Sequence, residues 1–315
     1  MAGKQSSVAA AICLLVNLGG ALAADSAIVP AYTPVLGQKL NWRIEIEGWR
    51  KSLGNLDIKL GEEKSTLTQQ QSILSRTLEG FTALWEFQPP GPEAHASFDE
   101  IYRGTLDVYG VTQLAIAVDA GGAPQRAYGE GIRARLEEMT RQLDENAVRE
   151  AQMLQFALDS ARVNPIFEVQ SLAPVAILVG RPQRASAWEA RRGAVTFQQQ
   201  TEVVFGVQVS ASIPVTVEEI DEAGRSVLVS WVWNPPLEAA PEAIRNQIDA
   251  MLKEARQSEG ALPGPLRSYA VTASQHYEGR ARISLDDGST LFAEEIRTTR
   301  VGLESSVLAV RAIRQ

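Results

Sequence analysis

Hydrophobic and polar residues alternate strictly from Lys39 to Glu47, with Leu40, Trp42, Ile44 and Ile46 on one face. A period of two residues is typical of a β-strand with one buried side. Further strands are predicted at Ile73–Phe87, Gly104–Asp119, Ala194–Val204, Val207–Ile220, Ser226–Trp233, Tyr269–Ser274, Ala281–Leu285, Leu291–Arg300 and Ser306–Ile313. The pattern therefore predicts long antiparallel strands along most of the chain.

Short acidic and glycine-rich segments separate several of these strands. They are Asp119-Ala120-Gly121-Gly122, Asp221-Glu222-Ala223-Gly224 and Asp286-Asp287-Gly288. Asp and Gly favour tight turns, because glycine accepts a left-handed backbone and aspartate bonds nearby backbone N–H groups. These segments predict turns, the last two of them within β-hairpins.

Two segments have helical periodicity instead. Apolar residues at near-helical spacing predict a long helix from Gly129 to Ala161, ending before Asn164-Pro165. A second helix is predicted after Pro241, with a buried stripe of Ile244, Ile248, Met251 and Leu252. An amphipathic helix needs a surface to cover. We therefore predict an α+β fold, with long antiparallel strands in one or two curved sheets packed against two amphipathic helices.

The chain divides into two β-rich halves of similar layout, residues 25–165 and 166–315, joined by a proline-punctuated crossover from Val163 to Arg184. An aromatic strand end followed by two prolines occurs in both, at Trp85–Pro90 and at Trp231–Pro236. The echo predicts an internal duplication. One continuous domain is the alternative.

The first 24 residues have the features of a secretory signal peptide. Lys4 precedes an apolar run from Val8 to Leu22, and Ala21-Leu22-Ala23 forms a small-residue cleavage box. The single cysteine, Cys13, lies inside that run, so cleavage leaves no thiol for a disulfide or a metal. We expect residues 1–24 to be cleaved, a periplasmic or secreted protein, and no transmembrane segment in the remainder.

A family resemblance rests on a few short motifs. A strand ends in an Asp-x-Gly turn before a helix, here Ile116-Ala117-Val118-Asp119-Ala120-Gly121-Gly122, and a glycine and then a tryptophan follow later, here Gly180 and Trp188. This arrangement resembles that of uncharacterised exported bacterial proteins whose sheets are similar to the half-barrel of lipoprotein carriers. The resemblance covers most of the mature chain as a pattern of elements. It implies a curved half-barrel with a cavity for an apolar ligand, and no catalytic residue carries over.

Charge and motif content exclude several function classes. The net charge of −8 disfavours nucleic acid as a partner, because phosphate binding requires a basic face. The two histidines, His95 and His276, lack zinc-ligand spacing, and no nucleophile elbow, P-loop or complete dinucleotide glycine motif occurs. We therefore predict no catalytic residue, no metal and no cofactor.

The tryptophans are the remaining candidates for a site. Trp42, Trp85, Trp231 and Trp233 lie on predicted strands and are our candidate ligand-binding residues. Indoles under a curved sheet suit an acyl chain or another apolar group. The alternative is that these side chains pack helices onto the sheet, as large aromatic residues commonly do.

Three functions follow from these patterns. The first, which we favour, is a non-catalytic binding or carrier protein of the bacterial cell envelope that holds a hydrophobic or amphipathic small molecule. The second is an envelope protein that binds another protein through a sheet edge or an exposed apolar patch. The third is a hydrolase, which requires His276 in a cleft within reach of a carboxylate or hydroxyl group.

Overall fold

The structure is a computed structural model that describes the chain in separate ranges. These are residues 27–30, 32–52, 58–87, 112–128, 131–142, 173–181, 189–204, 207–235, 273–301 and 304–315, with residues 158, 169, 246, 249, 252 and 253. The predicted signal peptide, Trp188 of the family resemblance and His95 lie outside these ranges. No helix within the described ranges has the length and apolar character needed to cross a membrane.

Antiparallel strands account for most of the described chain. In chain order they are β1 (Ala27–Ile28), β2 (Lys39–Ser52), β3 (Ile58–Arg76), β4 (Gly80–Phe87), β5 (Gln113–Asp119), β6 (Pro124–Tyr128), β7 (Glu189–Ala190), β8 (Val195–Val204), β9 (Val207–Asp221), β10 (Ser226–Trp233), β11 (Ala273–Ser284), β12 (Thr290–Val301) and β13 (Glu304–Arg314). Among the described residues, β1 pairs with β7, and the other strands form one sheet of eleven.

The order of the large sheet is β6-β5-β4-β3-β2-β13-β12-β11-β10-β9-β8. Strands β2 to β6 run outward as one meander, and β8 to β13 return as a second meander. The halves meet where β13 pairs with β2, with Ser52 opposite Glu304 and Trp42 opposite Arg314. Both halves of the chain thus contribute to a single sheet.

The expectation of an α+β fold with two amphipathic helices packed against the sheets is wrong. The part of the chain that the structure describes contains two short helices, α1 (Gly131–Gln142) and α2 (Pro174–Gly180). Helix α1 coincides with the start of the predicted helix at Gly129–Ala161. Helix α2 lies inside the segment that we expected to be a crossover. Because α2 is apolar all round, it has no amphipathic period, which is typical of a helix buried on every side.

Helix α2 shows that the sheet is curved. It contacts β12 and β13 near the middle of the sheet and also β6 at its edge. Six strand spacings separate β6 from β12, which in a flat sheet is about 28 Å. A helix of seven residues is about 10 Å long. The sheet must therefore bend around α2 to bring both regions into contact with it.

Every second residue of the central strands is buried on the side that faces α2, and we call this side the inner face. Its largest members are Leu40, Trp42, Ile44, Leu67, Ile73, Phe81, Trp85, Phe87, Leu114, Ile116, Ile213, Trp231, Trp233, Tyr277 and Ile283. Leu136 of α1, Leu158 and Val169 belong to the same hydrophobic cluster. The opposite side, which we call the outer face, carries the alternating polar residues. The period-two pattern that predicted a one-sided sheet is confirmed.

Strands β3, β4 and β11 differ from the sequence-based expectation, and β11 is one strand, Ala273–Ser284, where Tyr269–Ser274 and Ala281–Leu285 were predicted as two. The segment Ile73–Phe87, expected as one strand, contains the end of β3, a turn at Thr77–Glu79 and the whole of β4. Most of β3 lies before Ile73, in a polar stretch for which no strand was predicted. Its residues pair with β2 along almost their entire length. Cross-strand pairing, rather than hydrophobicity, accounts for this strand.

Candidate functional site

All four candidate tryptophans lie on the inner face. Trp42, Trp85, Trp231 and Trp233 are 1%, 0%, 2% and 8% exposed. Trp42 is on β2 and Trp85 on β4, whereas Trp231 and Trp233 are on β10. The structure thus brings them to one surface in two separate pairs, one in each half of the sheet. Trp42 and Trp85 differ from Trp231 in their hydrogen bonds.

The first pair surrounds two buried amides of β3. Gln69 is 2% exposed and lies opposite Trp42 in the strand register. Gln71 is 6% exposed and lies opposite Trp85. We call these four residues the amide cluster. Their inner-face neighbours are apolar, because Leu40 also faces Gln71 and Phe87 faces Gln69.

Neither indole N–H of the amide cluster is hydrogen-bonded within the described chain. The Nε1 atoms of Trp42 and Trp85 are fully buried and have no acceptor there. A buried donor without an acceptor is costly, and protein interiors contain few of them. The amide cluster therefore presents two polar donors toward the inner face that the described residues leave unused.

One member of the second pair, Trp231, belongs to a charged network. The Trp231 Nε1–H donates to Glu295 Oε2 at 3.0 Å, and Arg181 Nε lies 3.2 Å from the same oxygen. Arg297 Nε donates to the other carboxylate oxygen, Oε1, at 2.6 Å. Arg181 is 0% exposed and Glu295 is 1% exposed. We call Arg181, Trp231, Glu295 and Arg297 the arginine–glutamate cluster.

The charge of Glu295 is maintained by its partners. Burial raises the pKa of the Glu295 carboxyl, but the guanidinium groups of Arg181 and Arg297 and the hydrogen bonds from Arg297 and Trp231 outweigh it. The net effect lowers the pKa below its usual range. Glu295 is therefore ionised at neutral pH, and its acceptor capacity is directed to residues of this chain.

A glycine allows Trp231 to reach Glu295. The register places Trp231 of β10 opposite Gly279 of β11, and Gly279 opposite Glu295 of β12. A Cβ atom on Gly279 would lie 2.3 Å from Cζ2 of Trp231. The indole thus crosses the strand between them over the bare backbone, which a side chain at Gly279 would block.

The C-terminal end of α2 is held from three directions. The Thr290 hydroxyl donates to the Val179 carbonyl at 2.7 Å. Arg181, directly after the helix, forms an ion pair with Glu295. Gly180 packs so closely on the β5–β6 turn that an added Cβ would lie 2.1 Å from the Gly122 carbonyl oxygen. The turn glycine and the later glycine of the resemblance motif are thus in contact.

The predicted turns at Asp119, Asp221 and Asp286-Asp287 are confirmed. Asp119 Oδ1 accepts from the Gly121 and Ala123 N–H groups at 2.9 and 2.8 Å. Asp221 Oδ1 accepts from the Gly224 N–H at 2.8 Å. In the third turn, Asp287 accepts from Ser289, and Gly288 has a φ of 71°. These acidic residues therefore have structural roles.

His276 lies outside the inner-face clusters. Its Nδ1 is 2.8 Å from the Asn234 side-chain oxygen, and its Nε2 is 3.9 Å from Glu278. The side chain is 41% exposed. The hydrolase hypothesis requires a carboxylate or hydroxyl within hydrogen-bond reach of His276, but the Asn234 group is an amide and the Glu278 carboxylate is too distant for a hydrogen bond. Within the described chain, no group of three acidic, histidine or cysteine residues is placed to hold a metal ion.

Sequence reasoning missed the polar residues of both clusters. Gln69 and Gln71 lie in a polar stretch in which no strand was expected. Arg181 follows a helix that was not predicted. A signal for Glu295 did exist, because adjacent strand residues point to opposite faces. One member of the Glu294-Glu295 doublet therefore had to lie on the buried side of the strand, and a buried carboxylate needs a cation.

Comparison with known proteins identifies no relative. No family model and no curated protein matches the chain. Among solved structures, the chain is similar to one described as lipid-protein interactions in lipovitellin, with 9% identity and a TM-score of 0.43. The match covers 89% of this chain and 25% of the lipovitellin chain, so this chain spans about a quarter of that structure's length. A similarity of this extent assigns neither family nor function.

Proposed function

We propose that this protein is a non-catalytic binding or carrier protein that holds an apolar or amphipathic small molecule on the inner face of its sheet. We further propose that it is exported, with residues 1–24 removed, and acts in the periplasm or outside the cell. The observation that supports binding is the pair of buried indole donors, Trp42 and Trp85, without acceptors in the described chain. A bound molecule with an acceptor atom satisfies them.

The surroundings of those donors fit an amphipathic ligand. Large apolar side chains cover the inner face on both sides of the amide cluster and supply the contact area that a hydrocarbon chain needs. A few polar groups at one place on an otherwise apolar surface orient a ligand rather than provide most of its affinity. The tryptophans at the amide cluster combine both properties.

The test is native mass spectrometry of the protein purified from the periplasm, followed by solvent extraction of anything bound. We expect a mature mass that lacks residues 1–24 and a second species heavier by one small amphiphile. Extraction should return the protein to the lighter mass. A single ligand-free species that also takes up no added amphiphile would contradict the binding proposal, and an uncleaved N-terminus would contradict the export proposal.

A second candidate, binding to another envelope protein, is supported by one surface feature. Val35, Leu36, Leu74 and Leu78 are 64%, 67%, 49% and 101% exposed. They lie at one end of the sheet, where the Gly37 N–H donates to the Ile73 carbonyl at 2.9 Å. Contiguous exposed apolar residues commonly mark contact surfaces. If this patch serves the function, Leu36→Ser with Leu78→Ser should abolish a complex on native gels and leave any bound small molecule in place.

A further inference from the structure

The amide cluster also specifies what kind of polar group the ligand carries, an inference that rests on the proposed function. We propose that it binds an uncharged oxygen acceptor, such as the carbonyl of an ester or amide, at the head of a long-chain molecule. The argument depends on three properties of the cluster: its donors, its lack of charge and its position.

The donors require an acceptor. The indole of Trp42 is 1% exposed and that of Trp85 is 0% exposed, and an indole N–H can only donate. Among the described residues nothing accepts from either. A hydrocarbon would leave both donors unsatisfied, whereas a carbonyl oxygen accepts two hydrogen bonds. An oxygen-bearing group therefore gains more at this place than a plain alkyl chain does.

The cluster carries no net charge of its own. Gln69 and Gln71 are neutral amides that can both donate and accept. A charged residue, Arg314 of β13, lies opposite Trp42 in the strand register. Its guanidinium donates to Ser289 Oγ at 2.7 Å, and it lowers the pKa of Asp287, so it is already paired electrostatically. An anionic head would be desolvated here without a free counter-charge, which is strongly unfavourable.

The position of the donors suits a single head group. Trp42 and Trp85 lie on either side of β3, offset by the two residues from Gln69 to Gln71. Their backbones are about 12 Å apart by the usual strand and residue spacings. Both side chains lie on the inner face of the sheet. An ester with two oxygens, or two neighbouring ester groups, supplies an acceptor for each donor.

The test uses three brominated probes that share a C18 chain and quench tryptophan fluorescence: methyl 9,10-dibromostearate, 9,10-dibromostearic acid at pH 8, and 9,10-dibromooctadecane. Any co-purifying lipid is extracted first. We expect the methyl ester to bind about tenfold more tightly than the hydrocarbon, as the loss of one or two hydrogen bonds implies. The acid should bind more weakly than the ester.

Variants connect that preference to the amide cluster. The double variant Trp42→Phe, Trp85→Phe should bind ester and hydrocarbon equally, with the remaining tryptophans as reporters. Trp231→Phe is the matched control, because its N–H is already bonded to Glu295, and it should retain the preference for the ester. If the double variant does not fold, Trp85→Phe alone should reduce the preference for the ester. The comparison of the three probes on the unmodified protein tests the inference in either case.

The outcomes separate this inference from the proposed function. Equal binding of ester and hydrocarbon to the unmodified protein would overturn the inference and leave the binding function intact. Tighter binding of the acid would overturn it in favour of an anionic head group. A preference for the ester that survives in the double variant would place the acceptor elsewhere and also overturn it. If no probe binds, both proposals fail.

Discussion

The two halves of the inner face use the same residue type in opposite ways. In the half that contains β2 and β4, the indoles of Trp42 and Trp85 are buried and their N–H groups have no acceptor among the described residues. In the half that contains β10 and β12, the equally buried Trp231 donates to Glu295, and two arginines neutralise that carboxylate. Burial alone does not distinguish these tryptophans.

The difference separates folding from binding. Trp231 completes a network whose donors and acceptors all come from this chain, so its hydrogen bond contributes to the stability of the folded protein. The rings of Trp42 and Trp85 also pack in the apolar core, but their N–H groups have no acceptor among the described residues. A tryptophan whose N–H is bonded to another residue of the chain stabilises the sheet. A tryptophan whose N–H has no acceptor in the described chain keeps that donor available to a ligand on the inner face.

The largest predicted effect comes from the carboxylate of the arginine–glutamate cluster. Glu295→Gln leaves the Arg181 guanidinium buried beside a neutral amide. We expect the free energy of unfolding at pH 7 to fall by about 3–5 kcal/mol, as for other broken buried ion pairs. Urea denaturation measures it. The control is Glu294→Gln on the outer face, which loses surface contacts to Arg280 and Arg311 and should cost under about 1 kcal/mol.

The same carboxylate predicts a pH dependence. A carboxyl group whose pKa is lower in the folded state stabilises that state above its unfolded pKa and loses this contribution as the pH falls through the folded pKa. The stability difference between the unmodified protein and Glu295→Gln should therefore be constant near neutrality and shrink in acid. Denaturation curves at several pH values measure this difference. A difference that grows in acid would mean that Glu295 is not held ionised by its partners.

A smaller effect should follow from closing the gap that Trp231 occupies. Gly279→Ala forces the indole away from its path to Glu295, and overpacking of this kind costs about 2–3 kcal/mol. The matched change is Gly48→Ala, in the interior of β2, where a Cβ would meet only the Val307 carbonyl oxygen at 3.9 Å. Alanine should stabilise that strand by about 0.5 kcal/mol. Thermal unfolding of both variants measures the contrast, and equal shifts would show that Gly279 has no special role.

The smallest predicted difference compares the tryptophans directly. Trp231→Phe and Trp85→Phe remove the same volume, but only the first removes a hydrogen bond to a charged acceptor. In ligand-free protein we expect Trp231→Phe to be more destabilising by about 1.5–2 kcal/mol. Urea denaturation again provides the measurement. Equal losses would indicate that Trp85 has an acceptor after all and would remove the basis of the comparison.

Local patterns predicted those parts of the fold that depend on neighbouring residues. Strand β10 begins and ends at the expected residues, Ser226 and Trp233, because its apolar residues largely alternate and an Asp-to-Gly turn precedes it. Strand β3 was missed, because polar residues occupy both of its faces around Gln69. The burial of that glutamine becomes visible only when β2 and β4 are placed on either side of it.

The charged site depends on contacts between distant parts of the chain. Arg181 follows a short apolar helix that begins at Pro174, and its partner Glu295 lies on β12, the second-last strand of the second meander. No spacing in the sequence joins them. The alternation of apolar and polar residues was enough to predict that the four candidate tryptophans lie on one face. It could not predict which of them have hydrogen-bond partners.

The pairing of β2 with β13 has a consequence for the order of assembly. Within the large sheet, β2 is synthesised first and β13 last. One edge of β2 therefore stays unpaired until β13 has been synthesised. Such a seam has a very high contact order and is expected to form slowly. Without β13, the described strands would leave two separate five-stranded sheets, each with an open edge, instead of a smaller version of the same structure. The chain can therefore acquire a continuous inner face only after its final strand is complete.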